Sequence, residues 1–338
     1  MQKKKSLLSK NTKLFLYSRA LQIVLVMCIG VIIILNPKFF QMRVLIDILS
    51  QSSVKLIVAL GLLFPLIAGG TDLAGGKQLA LSAVVIASMM QNETYSKLFY
   101  PNLPHLPVFV PFLIVAVILA IIGFSSGYMI AKLNLPPFIA TLGMSLVLNG
   151  GTLLYIGMKP NDSQPIGGLR EDFTVLGTYR IFGTIPILIV FAIIFTIITW
   201  ILLNKTTFGK KVFAVGGNKQ AAEIAGINSV AVVIMVYIIE SLFIGFAGAL
   251  ESARTLSANA AYGTGYEFDA IASCVVGGVS LRGGLGKVSG VILGVIIFTV
   301  ISYGLAFIGV NPNWQLIIRG ALICIAVAFD MKKLELQT

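Results

Sequence analysis

The chain has 338 residues, of which 57% are hydrophobic before its 34 glycines are counted and only 11% are charged; the net charge is +12. So few polar side chains cannot cover a water-soluble surface, and ordinary globular domains carry about 25% charge, so a soluble enzyme, a disordered chain and a fibrous one are excluded. A mean hydropathy of +0.95 places the chain in a membrane, where an excess of lysine and arginine reflects cytoplasmic loops rather than nucleic acid.

Residues 1–19 carry Lys3, Lys4, Lys5, Lys10, Lys13 and Arg19 without an acid, which predicts a cytoplasmic amino-terminal segment. A transmembrane region over 20–330 follows, since stretches of about 20 mostly apolar residues suffice to span. The expected spans lie near 18–35, 51–68, 74–90, 108–131, 137–156, 183–203, 230–250, 267–279, 287–308 and 314–330. The short pieces at 74–90 and 267–279 either span or re-enter. Ten spans return the tail, 331–338 with Lys332 and Lys333, to the cytoplasm. With this topology 16 basic residues lie on cytoplasmic segments and eight on outward ones, with Arg319 left inside the last span. Uninterrupted apolar runs such as 108–122 and 185–198 lack the alternation of a barrel wall, and helices satisfy their own backbone groups in lipid. The expected fold is therefore an all-α polytopic membrane protein of about ten helices.

Glycine has two patterns. Gly123 and Gly127, and Gly286, Gly290 and Gly294, are spaced to form ridges along helices, which let backbones approach closely in lipid. The turn Gly69-Gly-Thr-Asp-Leu-Ala-Gly-Gly76 is echoed by Gly277-Gly-Val-Ser-Leu-Arg-Gly-Gly284. That echo suggests duplicated halves, as transporters often have. Both turns fall on the cytoplasmic side of the predicted topology, which fits a parallel repeat; an inverted repeat would misplace one of them. Cys28, Cys274 and Cys324 all sit in apolar runs and read as small buried hydrophobes.

Charges within spans are costly unless paired or wet. Asp72 either caps the third span or lines a path. Glu240 lies near the middle of the seventh span and Arg319 about one and a half turns into the tenth; each belongs to a path or to a structural pair, and their opposite signs allow a mutual one. Glu251, Arg254, Glu267 and Asp269 bracket the outward loop after the seventh span and face a docking partner or water. The loop 204–229 is basic, with Lys205, Lys210, Lys211 and Lys219 against Glu223. It predicts a short helix near 219–225, capped by Asn218 and stopped by Gly226, suited to press on a cytoplasmic partner. The sequence holds neither a Walker motif nor an H-E-x-x-H or G-x-S-x-G site, and its lone His105 has no second histidine. No enzymatic activity, cofactor or metal is expected, so uphill transport would draw on an ion gradient or a separate ATPase.

Several stretches together resemble the permeases of bacterial ABC sugar importers, the branch handling ribose, xylose, galactose and autoinducer-2. They are the turn at 69–76, Pro137-Phe-Ile-Ala-Thr-Leu-Gly143, Asn204-Lys-Thr-Thr-Phe-Gly-Lys210, Ala214-Val-Gly-Gly-Asn218 and Ala221-Ala-Glu-Ile-Ala-Gly-Ile-Asn228. Gly248-Ala-Leu-Glu-Ser-Ala-Arg254, Glu267-Phe-Asp-Ala-Ile-Ala272, the second turn and Gly309-Val-Asn-Pro-Asn-Trp-Gln315 complete the set, the last fitting the galactoside branch. The resemblance runs from about residue 50 to the end. It implies an inner-membrane homodimer, a cytoplasmic ABC ATPase and a periplasmic or lipid-anchored binding protein that delivers sugar, galactose or methyl galactoside. It further implies that Gly216, Gly217, Asn218, Ala221, Ala222, Glu223 and Gly226 couple to the ATPase, and that Glu251 to Asp269 lie near the binding-protein side. A secondary ion-coupled carrier and a non-transporting scaffold are the alternatives.

Overall fold

The computed structural model describes residues 30–34 and 36–337; the segment 1–19, Cys28 and most of the first expected span lie outside the described residues. A 3-10 turn, Pro37–Phe40, is capped by Asn36, whose side chain accepts the Lys38 N–H at 3.2 Å. It feeds α1 (Met42–Ile67), which starts nine residues before the apolar run at 51. Its first turns are two-faced: Val44 and Ile48 pack on Ile32 and Phe39 while Arg43 and Asp47 point away, so a count of apolar residues misses them. Next come α2 (Gly75–Met89), α3 (Phe109–Ala131) and α4 (Pro137–Ile156). Pro136 and Pro137 start α4, where a missing N–H costs nothing.

The short helix α5 (Glu171–Thr178) and a two-stranded hairpin, β1 (Arg180–Ile181) with β2 (Ile185–Pro186), precede α6 (Ile187–Asn204). The hairpin, turned by Gly183 at φ +70°, makes α6 begin four residues later than the apolar run. Two short helices, α7 (Thr207–Gly217) and α8 (Lys219–Ile224), then lead into α9 (Ser229–Thr255), and α10 (Tyr266–Val276), α11 (Val288–Phe307) and α12 (Pro312–Gln337) complete the chain. Among these, α1, α3, α4, α6, α9 and α11 are long and apolar enough to cross a membrane. The protein is an all-α, multi-pass membrane protein.

The helix contacts are symmetric in a way that reveals two halves. α1 packs on α10 and α11, and α9 packs on α2 and α3; α2 touches α4 as α10 touches α12. Each half thus has a long helix, a short one and two more, and each long helix is gripped by the opposite half. α1 and α9 cross antiparallel: Gly61 faces Glu240 and Phe243, whereas the later Gly70 and Thr71 meet the earlier Tyr237. The two halves therefore run in opposite directions, in place of the parallel arrangement that the glycine echo fitted. The echo itself falls at non-equivalent places. Its first copy joins α1 to α2, with Gly75 and Gly76 already helical; its second joins α10 to α11, with Gly283 and Gly284 in a turn at φ +85° and +73°. The echo therefore does not mark equivalent positions of the two halves, whose symmetric contacts indicate the internal duplication.

α2 has 15 residues and α10 has 11, about 22 Å and 16 Å of helix against a hydrocarbon core of about 30 Å. Their amino ends meet in the interior, where Gly76 abuts Gly263 and Glu267, and Lys77 Nζ donates to Thr264 Oγ1 at 3.4 Å. These are the two pieces for which the sequence left re-entry open.

The glycine ridges lie where helices touch. A Cβ on Gly127 would sit 2.7 Å from Ile234 Cα, and one on Gly123 would sit 2.8 Å from Ile238 Cα, so α3 lies directly on α9. Gly290 and Gly294 press α11 against Gly277 and Ser273 of α10. Cys274 is buried against α1, its thiol donating to the Ala59 carbonyl at 3.6 Å, whereas Cys324 of α12 is exposed, contrary to the expectation of a buried thiol. Overpacking a close contact costs about 1–3 kcal/mol. Gly127→Leu is therefore expected to lower the thermal midpoint of the detergent-purified protein by several degrees, while Phe124→Leu, one turn away and facing outward, leaves it unchanged.

Candidate functional site

The predicted coupling segment forms a compact helical hairpin. Thr206 caps α7, its Oγ1 accepting the Gly209 N–H at 3.2 Å, and Asn218 caps α8, its Oδ1 accepting the Ala221 N–H at 2.9 Å. α8 ends before Gly226, whose φ is +82°, as the sequence indicated. α7 was not foreseen, although Phe208, Val212 and Val215 already trace its inner face; Val212 and Val215 are buried and Phe208 packs near Phe64. Gly217, Asn218, Ala221, Glu223 and Gly226 are exposed on the hairpin, Ala222 is buried beneath it and Gly216 is half-buried. Ile224, absent from the expected set, is 89% exposed at the tip of α8. Its signal was a lone isoleucine at the end of a short polar helix.

This hairpin is fixed to both halves. Gly216 presses on the carbonyl of Ile67 at the end of α1, and the same carbonyl accepts the Gly284 N–H at 2.8 Å. Gly283 packs on Gly69 and Gly216, where a side chain would collide with backbone. Glu223 accepts a hydrogen bond from the Ser229 hydroxyl, tying α8 to the start of α9. Beside this junction a cavity of about 320 Å³ opens between Pro65, Gly69, Gly70, Pro136, Val215 and Tyr237.

The interior charges sort into two groups. Asp72 and Glu240 are both fully buried and adjacent. Asp72 accepts the Ala74 N–H at 2.6 Å and the Gln78 amide at 2.9 Å, so it braces the entry to α2 without occupying its cap position, which is Ala74. Arg319 does not meet Glu240. It lies 3.7 Å from Asp269, which Lys55 of α1 also contacts at 3.2 Å. Lys55 stands 5.3 Å over the ring of Tyr266, whose hydroxyl donates to Glu251 at 3.3 Å, and Glu251 holds Arg254 at 2.7 Å. One network thus joins Arg319, Asp269, Lys55, Tyr266, Glu251 and Arg254 across α1, α9, α10 and α12. Glu251 and Arg254 lie on α9, which outruns its apolar core by a full turn, and Glu251 and Asp269 are buried. Glu267 is separate, facing the start of α2.

On the face opposite the hairpin, a cavity of about 360 Å³ is lined by Ser88, Gln91, Glu93, Tyr100, His105 and Arg170 among others. Arg170 forks onto Asp172, which holds that carboxyl below the usual carboxylate range, and also donates to the Leu106 carbonyl at 2.9 Å. His105 lies 3.4 Å from Glu93. Among the described residues no cluster of three or more histidine, cysteine or acidic side chains could hold a metal.

A family of permease components, described as those of branched-chain amino acid transport systems, matches residues 44–327. The chain belongs to this family. It is 44% identical over 333 residues to the galactose/methyl galactoside import permease protein of Haemophilus influenzae, covering 97% of this chain and 98% of that one. The Escherichia coli protein of the same description is 42% identical, again over 97% and 98%. The ribose import permease protein of Bacillus subtilis is 35% identical over 90% of this chain and 89% of its own. No solved structure matches. As a permease component the protein is not itself an enzyme, and the hairpin carries no nucleotide-binding motif.

The charge network of this permease makes a direct prediction. Asp269 is buried between two cations, and removing one member of a buried pair costs roughly 3–5 kcal/mol. Asp269→Ala should lower thermal stability sharply, and adding Lys55→Met should recover part of the loss. A small effect of Asp269→Ala, or none of the recovery, would show that the network does not hold the four helices.

Proposed function

We propose that the chain is the membrane-spanning subunit of an ATP-driven sugar importer for galactose or methyl galactoside. The observation that carries this reading is its identity of 42–44% to the galactose/methyl galactoside permeases of Haemophilus influenzae and Escherichia coli over nearly the whole length of both chains, against 34–35% to the ribose permeases of Bacillus subtilis and Escherichia coli. The subunit has ten membrane segments: the six long helices, the half-helices α2 and α10, α12, and the span that the sequence predicts near 18–35. Both termini lie in the cytoplasm of a bacterial cell whose inner membrane holds the protein, in keeping with the basic residues near each end.

A second copy seats against α4, whose outward face carries Leu142, Leu146, Val147 and Leu154, with Gly143, Gly150 and Gly151 open to close approach. A periplasmic or lipid-anchored binding protein delivers the sugar from the opposite side. Arg254, partly exposed there, is the one that meets it, with Glu251 and Asp269 behind it, while Glu267 faces inward against the start of α2. Arg319, a quarter exposed about two turns into α12, faces the path; Asp72 and Glu240 support it from within.

A cytoplasmic ABC ATPase docks on the α7–α8 hairpin. Gly217, Asn218, Ala221, Glu223 and Gly226 form the contact, Ala222 and Gly216 anchor it, and Ile224 supplies its apolar centre. Movement of the hairpin passes through Ile67 to α1 and through Glu223 and Ser229 to α9, switching access between the two faces. A secondary carrier would have no use for so firmly anchored a hairpin.

In liposomes containing the permease, its ATPase and its binding protein, uptake of labelled galactoside is expected to require ATP and to survive collapse of the ion gradients. Uptake that stops with the gradients while ATP remains would assign the carrier mechanism instead. Burying an isoleucine contributes about 1.5–3 kcal/mol, so Ile224→Ser should weaken ATPase binding by about tenfold or more without changing the permease's own thermal midpoint.

A further inference from the structure

The cavity of about 360 Å³ on the face opposite the coupling hairpin has walls that are fixed without help from a ligand. Gln91, buried just past the end of α2, gathers the loop that follows it. Its Oε1 accepts the Phe99 N–H at 2.6 Å, and its Nε2 donates to the carbonyls of Gly167 and Lys97 at 2.9 and 3.2 Å. The Arg170 N–H donates to the Met90 carbonyl at 2.8 Å. Behind the loop Phe99 stacks on Tyr155 with ring centroids 5.0 Å apart, and the Tyr155 hydroxyl meets those of Ser88 at 2.7 Å and Tyr100 at 2.9 Å. The lining is polar but balanced in charge. Arg170 is buried and its guanidinium is already answered by Asp172. Glu93 stands on the rim 3.4 Å from His105, both of them mostly exposed, and Asn102 is exposed beside them. An apolar molecule would leave these groups unmatched, and an ion would find the one buried charge already paired. What matches is a neutral molecule rich in hydroxyls. Glu93 accepts hydroxyl protons, Asn102 both donates and accepts, and the half-buried Tyr100 ring offers an apolar face to ring C–H groups. Ligand cavities begin at about 300 Å³, so this one has room for a single sugar ring.

We infer that this cavity is a monosaccharide-binding site, which holds the sugar between its release by the delivering protein and its entry to the path. The inference rests on the importer reading above and adds to it a site in the permease itself. Glu93, Asn102 and Tyr100 contact the sugar, His105 holds Glu93 over the opening, and Gln91 positions the loop that carries them. Binding is weak, at about millimolar affinity, because water competes at an exposed rim for each hydrogen bond. A weak site suits a sugar that must move on.

Saturation-transfer NMR on the full-length permease in lipid nanodiscs, without ATPase or binding protein, tests this directly. Methyl galactoside is expected to receive saturation and to be displaced by galactose. It should bind about tenfold more weakly in the double variant Glu93→Ala/Asn102→Ala. Galacturonate and galactosamine, which carry a charge, should displace it less well than galactose. Undiminished binding in the double variant, or displacement by the charged sugars as effective as by galactose, overturns the assignment. Uptake by the complete importer separates this site from the importer reading. ATP-driven uptake with no sugar binding by the permease alone overturns the cavity site and leaves the importer. Binding in the cavity without ATP-driven uptake supports the site and overturns the importer. Should the double variant fail to accumulate, displacement by the charged sugars in the wild type still decides the question.

Discussion

The carbonyl oxygen of Ile67 is the point on which the inner face of this permease depends. It ends the long helix of the first half, accepts the Gly284 N–H from the second half, and is covered by Gly216 of the coupling hairpin. Gly216 and Gly283 lie where any Cβ would displace backbone rather than a flexible side chain, and Gly69 turns the chain at φ +83° beside them. The hairpin is therefore not a tethered loop. It is packed into a junction of both halves, and a force applied to it reaches α1 without slack.

The rest of the architecture follows from the same constraint under different conditions. Between helices in lipid there is no hydrophobic drive, so association rests on close packing and on buried polar contacts. The ridges Gly123–Gly127 and Gly290–Gly294 supply the packing. The network from Arg319 to Arg254 and the pair Asp72–Glu240 supply the polar contacts, one on each side of the crossing between α1 and α9. The inverted halves place the half-helices α2 and α10 end to end in the interior, with Lys77 and Glu267 at their meeting point. Broken helices of this kind are tolerated only where protein or a polar cavity surrounds their ends.

Much of the fold was legible where one apolar run makes one helix. α3, α4 and α11 match their expected limits within a residue, because lipid imposes both length and composition on such segments. The misses have particular causes. The first turns of α1 and all of α7 are two-faced, so hydropathy averages them away, although Val44, Ile48, Val212 and Val215 show the periodicity. The glycine echo points to duplicated halves but not to their equivalent positions, because a turn's composition says nothing of whether its glycines will sit in a helix or at positive φ. At the site, Asn218 and Gly226 marked α8 because capping is local. The partners of Arg319 and Glu240 were not legible, since Asp269, Lys55 and Asp72 are separated from them by 50 to 264 residues and only the packed halves bring them together.

Rigid transmission from the hairpin through Gly216 to Ile67 couples the ATPase to the membrane helices. In the reconstituted importer, the ratio of sugar molecules imported to ATP hydrolysed should be measured for Gly216→Val. The substitution inserts a branched side chain into the junction while leaving the exposed tip of α8 intact. The expected result is an ATPase that still binds and hydrolyses ATP while import falls by about tenfold or more. A ratio equal to that of the wild type would contradict the account.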